Sequence, residues 1–308
     1  MSEAQRQLAL LQLPPGPKGS GRQRNGAAMH FHRLGRMSDA ALEVYRILAA
    51  HDREDPRALL AAQGVSHDLP TPEPADCICF LVAEVDRYLA SLSGPGVGEV
   101  RTGLARWADG PALARPQASA VVAEHLPVAL TALASTHPGL ASANERAAPG
   151  LHWQTYDGYD PEAIGMPFCE GHASVSLVGE AAHISAVDFD LGLFLIAPHL
   201  LYRDHHHAAP ELYAPLTGPH GWRFGPDRAL ILKPAHQPVW NPPLQPHRTK
   251  VGPLPFLALF GRTRDVQAVA QVIPASDWPA LEALRLTSEG LSQRDPPETI
   301  AQGQRPGL

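Results

Sequence analysis

The stretch LYRDHHHAAPELYAPLTG, residues 201–218, decides how the rest of the chain is read. It sets Tyr202, His205, His206, His207, Glu211 and Tyr213 in one strand–turn–strand unit. Residues two apart in a strand share a face. His205 and His207 therefore project together, His206 points away, and Glu211 and Tyr213 share a face on the next strand. A hairpin that folds over brings all four to the inside of a barrel. Imidazole plus carboxylate is a donor set for one divalent transition metal of borderline character: Zn, Fe, Mn, Ni or Co. A fourth ligand must come from elsewhere. His247, in PPLQPHRTKVG (242–252), stands further along at the start of a strand. A single histidine on an apolar strand is usually a hydrogen-bonding core residue, and a run of three is often a solvated loop. His-x-His with Glu four residues later, in a β-rich region, is more specific than either.

The region around this motif is β-rich. From about residue 150 the chain reads as short apolar runs bounded by Gly, Pro, Asp and His. Strands are predicted over 173–178, 183–189, 192–197, 199–203, 211–216, 221–224, 228–233, 238–241 and 255–260. Short strands with frequent turn signals read as a sandwich or small barrel. Before 145 the pattern is helical. Ser38 heads a helix over 37–63, and Ile78, Leu81, Val82, Val85, Leu89 and Leu92 stripe another over 75–92. A third covers 117–135, kinked or broken at Pro127. The resulting plan is α+β: a disordered tail over 1–35, a helical region over 36–145, a metal-binding barrel over 146–275, and a short helix (278–284) with a loose tail over 276–308.

Composition narrows the function classes. The 308 residues carry 25 Lys and Arg against 31 Asp and Glu, a formal charge of −6. That disfavours a nucleic-acid binder working by phosphate neutralisation. Three cysteines (Cys77, Cys79, Cys169) make no disulfide framework in a chain of this length and read as buried thiols in a reducing compartment. No run approaches a membrane span and no secretory signal is seen, so a cytoplasmic protein is expected. No phosphate-cradling loop, nucleophile elbow or dinucleotide fingerprint is present. His30-x-His32 lacks a carboxylate at useful spacing and reads as a solvated pair.

The spacing His205-x-His207-x3-Glu211-x-Tyr213-x4-Gly218 resembles the first motif of the cupin superfamily. More narrowly it resembles the cupin dimethylsulfoniopropionate (DMSP) lyases, and Pro242-x4-His247 resembles their second motif, which ends in the last metal-binding histidine. Tyr202 and the flanks FLIAPHLLY (194–202) and PFLALFGR (255–262) are similar too, so the resemblance covers about 150–262. It implies a cupin barrel, a double-stranded β-helix, with a helical region before it. Three positions depart from the pattern. His236 stands where the second motif begins with Gly, so the turn there is expected to differ, and Leu244 and Val251 replace the Gly and Asn of the broader cupin pattern. Pro210, unable to donate to a ladder, predicts a bulge or an edge.

The resemblance implies β-elimination from a zwitterion with a carboxylate at one end and a dimethylsulfonium cation at the other. A base removes the proton beside the carboxylate, and dimethyl sulfide leaves as acrylate forms. Tyr213 is the expected base, with Tyr202 as its backup, since a divalent cation favours phenolate. Trp222, Trp240, Phe194 and Trp153 are candidate walls for the sulfonium by cation–π attraction. His199 and Lys233 are weaker candidates for the carboxylate. The expected partner is a small zwitterion, with neither nucleic acid nor membrane, and a homodimer is plausible for a barrel with exposed strand edges. The alternatives are another cupin enzyme, a dioxygenase or isomerase acting on a different small carboxylate, and a non-enzymatic binding cupin.

Overall fold

A computed structural model describes residues 3–65, 72–287 and 290–292. The chain opens with four helices, α1 (Glu3–Leu11), α2 (Ser20–Arg33), α3 (Asp39–Ile47) and α4 (Pro56–Ala62). Residues 1–35, expected to be loose, thus hold two helices among the described residues. What orders them is burial the local pattern does not announce. Ala27, Ala28 and Phe31 on α2 pack with Leu42, Tyr45, Leu48 and Leu60 in a core of their own. Arg24, 1 % exposed, donates to the carbonyls of Leu13, Pro14, Asp52 and Glu54, and so ties the Pro/Gly-rich connection to the end of the unit. Ser38 caps α3 and Asp55 caps α4, each accepting from a first-turn amide. His32 meets Asp39 at 2.6 Å, a carboxylate partner across the α2–α3 turn that sequence spacing missed.

A second helical layer follows: α5 (Pro74–Ser91), α6 (Val97–Trp107), α7 (Ala120–Ala134) and α8 (Pro138–Ala147). A Glu73/Asp76 capping box with Pro74 in the first turn starts α5. Helix α7 continues through Pro127 rather than breaking there. Two short helices, α9 (Pro161–Ile164) and α10 (Met166–Glu170), lead into the strands.

The strands are β1 (His172–Gly179), β2 (Ile184–Ser185), β3 (Asp190–Ile196), β4 (Leu201–His206), β5 (Glu211–Pro215), β6 (His220–Arg223), β7 (Ile231–Lys233), β8 (Val239–Asn241), β9 (His247–Lys250), β10 (Phe256–Arg262) and β11 (Gln271–Val272). They form two sheets, β2-β1-β3-β10-β5-β8 and β11-β4-β9-β6-β7. All pairings are antiparallel except β1–β2. This is the two-sheet barrel of the expected α+β fold. Helix α11 (Trp278–Ala283) and a hairpin of β12 (Arg285–Thr287) and β13 (Gly290–Ser292) close the described chain, and the tail expected beyond 292 lies outside it.

The first sheet has two apolar faces. Leu191, Leu193 and Leu195 on β3, Leu257 and Leu259 on β10, and Leu212 and Ala214 on β5 join the core of α5–α8. The alternate residues, Phe194, Ile196, Phe256, Ala258, Phe260 and Tyr213, form the barrel interior. The helical region and the barrel therefore share a core. Strands β4 and β5 lie in opposite sheets, so residues 207–210 turn a corner between sheets instead of closing a hairpin. Pro210 precedes β5, which is paired on both sides; the irregularity falls on β4 between Tyr202 and His205.

Candidate metal centre

Strand pairing assembles the centre. His205 on β4 and His247 on β9 are direct cross-strand partners, and their rings lie 4.1 Å apart. Glu211 begins β5 on the opposite sheet, and His207 sits at the corner between the two. The ligand atoms of His205, His207 and His247 all lie within 4.8 Å of one another, and all three residues are buried. Glu211 Oε2 is 3.2 Å from His207 Nε2 and 3.6 Å from His247 Nε2. The four residues singled out by spacing thus converge on one point between the sheets.

Hydrogen bonds fix the ring orientations. Nδ1 of His205 donates to the Arg203 carbonyl at 2.8 Å, that of His207 to Ala209 at 2.7 Å, and that of His247 to Gln245 at 2.9 Å. In a neutral imidazole this leaves each Nε2 as a bare lone pair. Nε2 of His205 and of His247 has no protein partner. Burial and the neighbouring His247 hold the His205 imidazole well below its usual pKa, so it stays neutral. Three buried lone pairs and a carboxylate turned to one point suit a divalent metal with nitrogen and oxygen ligands. The donor set leaves the choice among Zn, Fe, Mn, Ni and Co open.

Glu211 is held by a residue that sequence reading passed over. Arg262, at the end of β10, donates Nε to Glu211 Oε1 at 2.9 Å. Burial opposes ionisation of Glu211, but Arg262 and then His207 outweigh it and hold the carboxyl well below its usual range. The signal for Arg262 lay in PFLALFGR: Phe256, Ala258, Phe260 and Arg262 alternate onto one face.

A cavity of about 570 Å³ opens beside the centre. Glu211, Tyr213, Tyr202, Phe194 and Arg262 line it, as do Tyr159, Phe168, His172, Ser174, Ser176 and Asp190. Tyr202 Oη lies 2.6 Å from Tyr159 Oη, on a loop that gave no sequence signal. Phe168 stacks on Tyr202 with centroids 4.2 Å apart, and Tyr202 stacks on His205 at 4.1 Å. Burial first, then the Glu211 charge, pushes the Tyr213 phenol well above its usual pKa. Burial does the same to Tyr202.

Several candidate contacts fall elsewhere. Trp240 is the cross-strand partner of Leu212 and faces the helical layer, where its ring covers Gly96. Trp153 is buried in that same outer core. Trp222 is sealed in the barrel interior, 5.6 Å from the Tyr213 ring, and supports that ring without lining the cavity. His199 sits in the β3–β4 turn, where its carbonyl accepts from Lys250 Nζ. Lys233 is on edge strand β7. Neither reaches the cavity.

The two departures from the cupin glycine pattern keep a glycine-like backbone. His236 has φ 65° and Leu244 φ 60°, both left-handed. The strain is held by contacts. His236 Nδ1 lies 3.1 Å from Tyr88 Oη and Nε2 3.0 Å from Thr136 Oγ1, which tie the turn to the helical layer. The Leu244 amide donates to the His207 carbonyl at 2.8 Å.

No described helix is long and apolar enough to cross a membrane. A search of curated proteins returns no match. Among solved structures, the chain is similar to one from the crystal structures of the DMSP lyases RdDddP and RnDddQII, at 19 % identity and TM-score 0.49, over 66 % of this chain and 100 % of that one. It is similar to DMSP lyase DddQ from Ruegeria pomeroyi DSS-3, at 19 % identity and TM-score 0.38, over 76 % of this chain and 97 % of that one. A cupin-like protein from Thermotoga maritima MSB8 matches at 12 % identity and TM-score 0.31, over 36 % of this chain and 81 % of that one. The family model for dimethylsulfoniopropionate lyase matches residues 103–258, just over half of the chain, from within α6 to within β10. The chain therefore belongs to the dimethylsulfoniopropionate lyase family and is a carbon–sulfur lyase.

Proposed function

We propose that this protein cleaves DMSP to dimethyl sulfide and acrylate by β-elimination, with Tyr213 as the base. The observation that carries this is the placement of Tyr213: two residues from Glu211 on one inward face of β5, in the cavity wall beside the converging histidines. His205, His207, Glu211 and His247 would hold the metal. A divalent cation there supplies Lewis acidity and lowers the pKa of a neighbouring phenol.

The residues around it do the rest. Tyr213, as phenolate, takes the proton from the carbon next to the carboxylate. The released pair forms the carbon–carbon double bond, and the carbon–sulfur pair leaves on sulfur as neutral dimethyl sulfide. No oxidant is required. Tyr202, backed by Tyr159, offers a hydroxyl near the same wall, and Phe194 and Tyr159 offer aromatic rings to the sulfonium.

The test is headspace detection of dimethyl sulfide from metal-reconstituted protein given DMSP, beside a chelator-treated control. Metal-dependent release is expected. Protein that carries metal yet releases none sinks the proposal. Iron-dependent oxygen uptake in its place would favour the dioxygenase alternative.

A further inference from the structure

Strand register sets Asp190, Arg262 and Glu211 side by side across β3, β10 and β5. All three line the cavity. Arg262 spends one donor, Nε, on Glu211. A guanidinium has five N–H groups in a planar fork. Neither Nη of Arg262 has a hydrogen-bond partner among the described residues, and neither is among the sealed, unpartnered atoms of the protein. The side chain keeps 22 % of its surface open. The other arginine on the cavity wall, Arg115, is exposed. Arg262 is therefore the cation that presents free donors beside the metal ligands.

The planar fork fits an anion: the Nη groups left free by the bond to Glu211 match the two oxygens of a carboxylate. The rings of Phe194 and Tyr159 also line the cavity and suit the opposite end of a zwitterion.

We propose that Arg262 is the carboxylate receptor of this enzyme: its Nη groups take the substrate carboxylate while its Nε holds Glu211. The proposal rests on the lyase reading for its substrate. One residue then couples substrate position to ligand position. Its fixed charge also opposes the negative charge that builds when the proton next to the carboxylate is removed. Lys would not replace it, because a point charge cannot serve both partners in one plane.

The experiment compares wild type with Arg262→Gln and Arg262→Lys. Metal content is measured for each. Binding of acrylate and of acrylamide, the same skeleton without charge, is measured by calorimetry, and KM and kcat are measured by dimethyl sulfide release. Wild type is expected to favour acrylate over acrylamide. Arg262→Gln is expected to erase that preference and to raise KM by about 10- to 100-fold, the range of a charge-assisted hydrogen-bond pair. Guanidinium ion added to Arg262→Gln restores part of the preference. If Arg262→Gln keeps the acrylate preference, the proposal is overturned, and lost metal with an unchanged preference makes Arg262 only a holder of Glu211. A wild type without acrylate preference overturns it as well. Acrylate preference without dimethyl sulfide release would instead sink the lyase reading and leave the carboxylate receptor standing.

Discussion

Each metal-type histidine has one nitrogen committed to a backbone carbonyl and the other turned inward. Removing His247 takes away one of three converging lone pairs, and His247→Ala is expected to lose bound metal and dimethyl sulfide release together, read by metal analysis beside headspace assay. Tyr213→Phe removes only the phenol oxygen. It is expected to keep its metal and to lose at least about 100-fold in rate, the usual lower share of a general base. Retention of both metal and rate would reassign the base. A different histidine acts on stability. His220 is fully buried: Nδ1 accepts the Gly252 amide at 3.1 Å and Nε2 lies 3.2 Å from Thr217 Oγ1. Burial lowers its pKa from 6.5 to about 3. The unfolded chain thus takes up the proton first. Stability from this group is complete above about pH 6.5 and is lost as pH falls from there toward 3. Its ring resonance in the folded protein is expected not to titrate between about pH 7 and pH 5. A midpoint in that window would show the ring is not sealed.

Among the elements, β5 and the turns around it carry the site. Strict alternation along β3, β5 and β10 sends one set of residues to the helices and the other to the cavity. Gly192 on β3 is where that packing is tightest. A Cβ there would meet the Val175 carbonyl and lie 2.7 Å from the Phe260 ring. Gly192→Ala is expected to push Phe260 toward the cavity and to destabilise by about 1–3 kcal/mol, the usual range for overpacking, as read by urea unfolding. The turn before β9 predicts the opposite sign. Leu244 is 59 % exposed and left-handed, so its side chain contributes little while its backbone is strained. Leu244→Gly is expected to stabilise by about 0.5–1 kcal/mol. His236→Gly relieves the same kind of strain but severs the ties to Tyr88 and Thr136. The strands and the pair of motifs were legible because both are written in consecutive residues. The corner at 207–210 was not, because the same pattern serves a hairpin or a change of sheet, and only the partners of β4 and β5 choose between them.

At the scale of the whole molecule, the helical layer α5–α8 is half of the core that backs the site. Leu133 on α7 is fully buried against the first sheet. Leu133→Ala is expected to cost about 2–5 kcal/mol. It should lower the helix signal in circular dichroism and the fluorescence of Trp222, read with the other four tryptophans replaced, in one coincident transition. Separate transitions would mean the layer and barrel fold apart. The second sheet is backed by charge instead. Asp204, next to His205, accepts from Arg223 at 2.8 Å, Arg248 at 3.3 Å and Trp278 Nε1 at 2.9 Å, which fastens α11 behind the metal strands. By itself the sequence determined the run of strands, the helical stripes, the likeness to the cupin lyases and the set of ligand-type side chains, because periodicity and motif spacing are local. The ordering of residues 3–35, the outward turn of Trp153 and Trp240, and the meeting of Arg262 with Glu211 across 51 residues of chain were decided only by the tertiary structure. Burial, choice of face and register between distant strands depend on what packs opposite, and no short window of sequence contains that partner.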